Sequence, residues 1–282
     1  MIERALGRRV ASTRRAAWGF TNRTDLITLD DGEQVVVQRY RRRGDAEYRL
    51  SVMRGLWTPA RHAGVPLPRV RAFDLDDDPP WAIYDVLPGV PAAEAGELGV
   101  GGPRFPRTAR SMGELLAAFR DLPTAGLALD DSWADPPRLA ESAAAWARRI
   151  GVGKVDRHLD AVPDLLGGRP AVLAHGDFAP VNVLLDGETI SGLLDLEAAR
   201  LADPLFDAAW WAWSVGFSSP EVLEAACPAF LGGAGIDASE SGLADRVRLL
   251  QVLRMLELLG TDKLTPDVAG IVEDRLRTTL RR

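Results

Sequence analysis

The sequence predicts an α+β fold, with a small sheet-containing N-terminal part followed by a larger, mostly helical part. Three observations carry this. Short apolar runs bounded by turn signals fill the chain to about residue 87, apolar residues recur at helical spacing from Thr108 onward, and one hairpin, Val183 to Leu194, interrupts the helical half. The 282 residues suffice for a core and two lobes, drawn here as 1–87 and 88–282. Hydrophobic content of 46% and charged content of 26% are ordinary for a soluble globular protein. The single cysteine, Cys227, excludes an internal disulfide framework, and the three histidines show no zinc spacing. With no apolar leader and no run of eighteen apolar residues, the expected setting is the cytoplasm, without a membrane partner. The net charge of -6 speaks against nucleic acid and mildly favours cationic small partners. A monomer and a homodimer fit equally.

Taken in order, residues 1–17 carry five arginines and space Ile2, Leu6 and Val10 four apart, which predicts a basic amphipathic helix. Trp18 to Thr24 form a bend before the strand Leu26–Leu29, and Asp31-Gly32 turns the chain into a strand at Val35–Arg39. Period two puts Val35, Val37 and Arg39 on one face, and a cation at the end of an apolar face calls for an anion. A helix follows over Asp45–Leu56, then strands at Val70–Leu75 and from Trp81 to a Pro88-Gly89 break. Residues 91–106, rich in Gly, Ala and Pro, read as a loop. Helices are expected near 108–121, 137–150, 155–166, 204–215, 220–231, 241–260 and 267–281. Trp210, Trp211 and Trp213 cannot all share one helical face, so at least one is expected to point away from the core.

The chemistry concentrates in His175–Asp207. An apolar run leads into His175-Gly176-Asp177, and Asn182 follows five residues after Asp177. Val183–Leu185 and Ile190–Leu194 flank Asp186-Gly187, a hairpin signal, and the second strand ends in Asp195. A hairpin brings its open ends together, so Asn182 and Asp195, thirteen apart, are expected side by side with Asp177 just before them. Mg2+ takes oxygen ligands and keeps waters and substrate phosphates, so one carboxylate and one amide oxygen suffice. Asn182 and Asp195 are the candidate metal ligands. Asp177, off the metal, is the candidate base for an attacking hydroxyl. A carboxylate-rich surface hairpin is the alternative.

HGDFAPVN followed by LLDLE resembles the signature of the aminoglycoside phosphotransferase and choline kinase family, the small-molecule branch of the protein-kinase-like fold. The resemblance implies a bilobal fold and transfer of the γ-phosphate of ATP, with GTP an alternative, to a hydroxyl of a small molecule. An aminoglycoside-type antibiotic is the first acceptor to expect. A metabolic kinase for choline, homoserine or a sugar, a macrolide kinase, and a nucleotide-binding pseudoenzyme are the alternatives. It also implies roles. Thr21 and Asn22 sit in the bend that covers the nucleotide phosphates, Arg39 is the phosphate clamp and Glu47 its orienting partner. Asp85, Val86 and Leu87 form the base-binding hinge, His175 opens the motif in a supporting place, and Asp207 braces the catalytic loop. Glu197 is either an acid near a second metal or a plain surface residue. Only seven residues separate Asp195 from Asp203, which leaves little room for peptide docking and favours a small acceptor.

Overall fold

The computed structural model describes residues 2–15, 22–153, 155–217, 219–261 and 264–281. The N-terminal part is built on one antiparallel sheet of β1 (Val10–Arg15), β2 (Arg23–Leu29), β3 (Gln34–Arg39), β4 (Val70–Asp74) and β5 (Trp81–Asp85), in the order β1-β2-β3-β5-β4. Alternation along β5 buries both faces. Trp81 and Ile83 join Ile27, Leu29, Val35 and Val37 on one side, while Ala82 and Tyr84 meet Leu50, Met53 and Leu56 of α2 (Arg43–His62) on the other. α2 outruns its expected end at Leu56 and passes Pro59, because Leu56 and Ala60 are both fully buried in that core. The expected helix over residues 1–17 is corrected. Only α1 (Ile2–Leu6) is helical, and Val10–Arg15 adds to the open edge of β2, where the sheet supplies backbone partners that outweigh the helical pattern.

The remainder is mostly helical. Its helices are α3 (Phe105–Arg120), α4 (Pro136–Ile150), α5 (Asp156–Asp160), α6 (Val162–Leu166), α7 (Phe206–Gly216), α8 (Pro220–Gly233), α9 (Leu243–Gly260) and α10 (Pro266–Arg281). The segment expected as one helix at 155–166 is two short ones, broken at Ala161 ahead of Pro163. The segment expected as a loop at 91–106 contributes β6 (Val90–Pro91), which pairs with β8 (Val183–Asp186). β8 in turn forms the hairpin with β9 (Thr189–Leu193), closed by a two-residue loop in which Gly187 takes φ 59. β7 (Val172–Ala174) pairs with β10 (Arg200–Ala202), so the strands entering and leaving the stretch from His175 to Ala199 are held side by side.

Two cores sit in this part. One gathers α4, α6, α9 and α10 around Leu205 and Phe206. The other runs without a break from α2 through Phe178, Val183 and Leu193 to α3, α7 and α8. The chain is therefore an α+β fold, a sheet-containing part followed by a mostly helical one, in which α2 packs into the same core as the β8–β9 hairpin. No described helix is long and apolar enough to cross a membrane.

Candidate active site

The site grows from the turn after β7. Gly176 has φ 86, and a Cβ there would lie 1.9 Å from the carbonyl oxygen of Ala198, so only glycine passes this crossing. Asp207, at the first turn of α7 and buried, holds the turn from below: its Oδ2 accepts from the His175 amide at 2.6 Å and its Oδ1 from the Gly176 amide at 2.9 Å. Burial pushes the Asp207 carboxyl above its usual value, against the pull of His175, the two amides and Arg200. His175 is fully buried. Its Nδ1 accepts from the Asp177 amide at 3.2 Å, so its Nε2 is left to donate to the carbonyl of Leu194 at 2.8 Å. That single ring ties the turn to the end of β9.

Asp177 follows, oriented from two sides. Trp210 Nε1 donates to its Oδ1 at 2.7 Å, and Asn182 Nδ2 donates to its Oδ2 and to its backbone carbonyl, both at 2.9 Å. With its nitrogen so engaged, Asn182 has its amide oxygen left to offer a cation. The Leu194 amide donates to the Asn182 carbonyl, which places Asn182 beside the strand end that carries Asp195. Asp195 adopts a left-handed conformation, φ 68, as the chain leaves β9. Glu197, two residues on, accepts from Asn22 Nδ2 at 3.1 Å, so the start of β2 touches the candidate metal loop.

The structure thus brings Asp177, Asn182, Asp195, Glu197, His175, Asp207 and Asn22 to one region. Thr21 and the bend from Trp18 lie outside the described residues. Asp85, Val86 and Leu87 end β5 as an irregular connector with Val86 exposed. Asp85 donates its amide to the Arg69 carbonyl, and with Leu87 it lines a hollow of about 350 Å³ beside Trp57 and Arg61.

The expected pairing of Arg39 with Glu47 is corrected. Glu47 is half exposed and pairs with Arg43 one turn earlier in its own helix, at 2.7 Å. Arg39 instead meets Asp25 of β2, a carboxylate only 2% exposed that also receives Arg23 at 3.1 Å. The reason is register: Arg23 lies opposite Arg39 across the β2–β3 ladder, and Asp25 stands one pleat along on the same face. The signal was present, since Asp25 shares its strand face with Ile27 and Leu29. Arg39→Ala and Asp25→Ala are each expected to cost about 1–3 kcal/mol and to couple in a double-mutant cycle. Glu47→Ala leaves unfolding and nucleotide affinity unchanged. Additivity of the first two, or coupling of Arg39 to Glu47, reverses this assignment.

Residues that the sequence did not single out complete the surroundings. Arg49 of α2 reaches Asp195 Oδ1 at 2.8 Å and Glu197 Oε2 at 3.1 Å. Burial works against its charge, but Asp195, helped by Tyr40, Tyr84 and Glu197, outweighs that and raises its pKa. Arg49 stands at helical spacing with Ala46, Leu50 and Met53, and a charge on that buried stripe was the available clue. Beneath the turn, Arg254 donates to the Gly176 carbonyl at 3.0 Å and pairs with Glu257, which Arg200 meets at 2.7 Å. Burial alone would raise the Glu257 carboxyl, yet Arg254 and Arg200 hold it down at about 2. Trp210 stacks on Trp213 with ring centres 4.3 Å apart, Arg254 covers it, and Trp211 packs instead on Phe230.

The profile of the phosphotransferase enzyme family (APH) matches residues 12–242, most of the chain, including His175 to Asp207. This chain belongs to that family. Among curated relatives, an aminoglycoside 3'-phosphotransferase of Streptomyces fradiae is 32% identical over 168 residues, 53% of this chain and 58% of that protein. One of the same description from Streptomyces ribosidificus is 30% identical over 51% of this chain and 56% of its own length. The matched stretch therefore spans little more than half of these relatives. Solved structures share the fold at low identity. The macrolide 2'-phosphotransferase MphH of Brachybacterium faecium superposes with TM-score 0.69 at 21% identity, covering 99% of this chain and 95% of that one. The GDP and kanamycin complex of an APH(2") enzyme gives 0.76 at 16%, covering 99% and 96%.

Proposed function

We propose that this phosphotransferase moves the γ-phosphate of a nucleoside triphosphate, ATP or GTP, to a hydroxyl of a small molecule, with an aminoglycoside-type antibiotic as first acceptor. One observation carries the reading: Asp177 is held by Trp210 and Asn182 beside an Asp195 that approaches from the adjoining strand end. Each carboxylate oxygen has a second lone pair, so Asp177 can accept the acceptor's hydroxyl proton while both of its present donors stay in place. The residues fit Mg2+. Asp195 and the Asn182 oxygen are hard donors, and no set of three or more His, Cys, Asp or Glu side chains among the described residues could hold a metal alone. Such a site leaves the rest of the shell to phosphates and water, as Mg2+ prefers, and the ion when bound would neutralise the phosphate charge. The relatives named above, aminoglycoside 3'-phosphotransferases, and the kanamycin complex support the acceptor class. One neighbour holds GDP and another, an aminoglycoside phosphotransferase bound to hygromycin B, holds ADP, which supports a nucleotide donor of either base.

A macrolide-type acceptor is the second reading, favoured by the stacked Trp210–Trp213 pair against Asp177, an apolar wall for an acceptor with an apolar face. Several acids that would attract a cation are also engaged elsewhere. Asp135 caps α4, Asp131 pairs with Arg138, Asp237 closes a turn with Ser239, and Glu240 meets Arg169 and Arg246. ADP or GDP release from a panel of aminoglycosides, macrolides and metabolite alcohols tests both. For an aminoglycoside, acceptor KM is expected to rise between low and physiological salt, where exposed charges beyond about 8 Å are screened. A best acceptor that is apolar, with KM indifferent to salt, selects the second reading, and release with no panel member rejects both.

A further inference from the structure

Two-metal phosphoryl-transfer sites place a pair of divalent cations between protein carboxylates and the phosphates. Here one pole of the site already holds a cation. Arg49 Nη1 lies 2.8 Å from Asp195 Oδ1 and 3.1 Å from Glu197 Oε2, bridging the two carboxylates between which a second ion would have to sit. Glu197 Oε2 is doubly engaged, since Asn22 Nδ2 reaches the same oxygen at 3.1 Å.

The cation is permanent and fixed. A guanidinium does not lose its proton, and this side chain is only 9% exposed, on the buried stripe of α2 with Ala46, Leu50 and Met53. Its Nε is buried with no hydrogen-bond partner, so the contacts with Asp195 and Glu197 are what hold the group in place. The neighbouring Tyr48 pins the same turn of α2 to the catalytic lobe. Its hydroxyl donates to the Ala199 carbonyl and accepts from the Asp130 amide at 3.1 Å. A divalent ion placed between Asp195 and Glu197 would have to take the position this like charge already holds, in a partly buried setting where repulsion is weakly screened.

We propose that Arg49 stands in for the second metal ion, so that this chain binds its nucleotide with a single divalent cation, held between Asp195 and Asn182. The inference rests on the phosphotransfer reading and deepens it. Arg49 is a positioning residue here, fixing Asp195 and closing the Glu197 side to metal.

The test counts metal ions. Mn2+ binding is followed by electron paramagnetic resonance on the full chain with saturating imido-triphosphate analogues of ATP and GTP. The wild type is expected to take one Mn2+ per chain. Arg49→Met, which removes the charge and its contacts with both carboxylates while keeping an unbranched chain, is expected to take two, and Arg49→Lys, which keeps the charge, one. Two ions in the wild type overturn the proposal, and so does a count of one in folded Arg49→Met. A tenfold or greater loss of nucleotide affinity in Arg49→Met with the count unchanged also overturns it, by making Arg49 a phosphate ligand. If Arg49→Met fails to fold, the wild-type and Arg49→Lys counts decide. A count of two leaves phosphotransfer standing, whereas no nucleotide-dependent Mn2+ binding rejects phosphotransfer together with this proposal.

Discussion

Asp177→Asn is expected to lower turnover by about 10² or more, the scale of a lost positioned base, while nucleotide affinity stays within a few-fold of wild type. The geometry sharpens this. Asp177 accepts from Trp210 on one oxygen and from Asn182 on the other. An asparagine amide presents only one oxygen, so its NH2 must face one of those two donors, and the loop loses a bond as well as the base. Nucleotide affinity is protected because the nucleotide's metal is assigned to Asp195 and Asn182. Steady-state kinetics with the best acceptor, alongside calorimetric titration of nucleotide, check both halves. Turnover within a few-fold of wild type removes Asp177 from the base role. A parallel loss of nucleotide affinity places it among the metal ligands instead.

The second large effect is expected from Gly176→Ala. The added methyl group would lie 1.9 Å from the Ala198 carbonyl oxygen, and φ 86 is unfavourable for any residue with a Cβ. Backbone strain of this kind costs about 1–3 kcal/mol, and forced overlap in a packed site about as much again. Relief would require the turn to move away from Ala198, breaking the Asp207 bonds to the His175 and Gly176 amides and the Arg254 bond to the Gly176 carbonyl. A loss of at least ~3 kcal/mol in denaturant unfolding is therefore expected, with turnover falling in whatever fraction stays folded. Gly187→Ala is the comparison: its φ is also positive, but nothing lies within 4 Å of the added atom, so only the smaller conformational cost is expected there. Equal losses at the two glycines would mean that the crossing under Ala198 is not the constraint.

What the sequence determined was local. Asp186-Gly187 between two apolar runs specifies a hairpin, and a hairpin of that length brings Asn182 toward Asp195, so the clustering of these candidate residues was legible from spacing alone. The α+β division was legible for the same reason, because strand and helix periods are written along the chain. Tertiary structure decided the rest, wherever a partner comes from a distant element. Arg39 and Glu47 are eight residues apart and look like a pair, yet strand register hands Arg39 to Asp25 and leaves Glu47 to Arg43. Residues 1–17 carry a helical pattern, but the unpaired edge of β2 draws Val10–Arg15 into the sheet. Trp210 and Arg49 carry no motif, and each touches a candidate site carboxylate only because α7 and α2 pack in one core with the hairpin. Hydrogen-bond and charge partners are chosen by what burial leaves within about 3 Å, and periodicity along a chain holds no record of that distance.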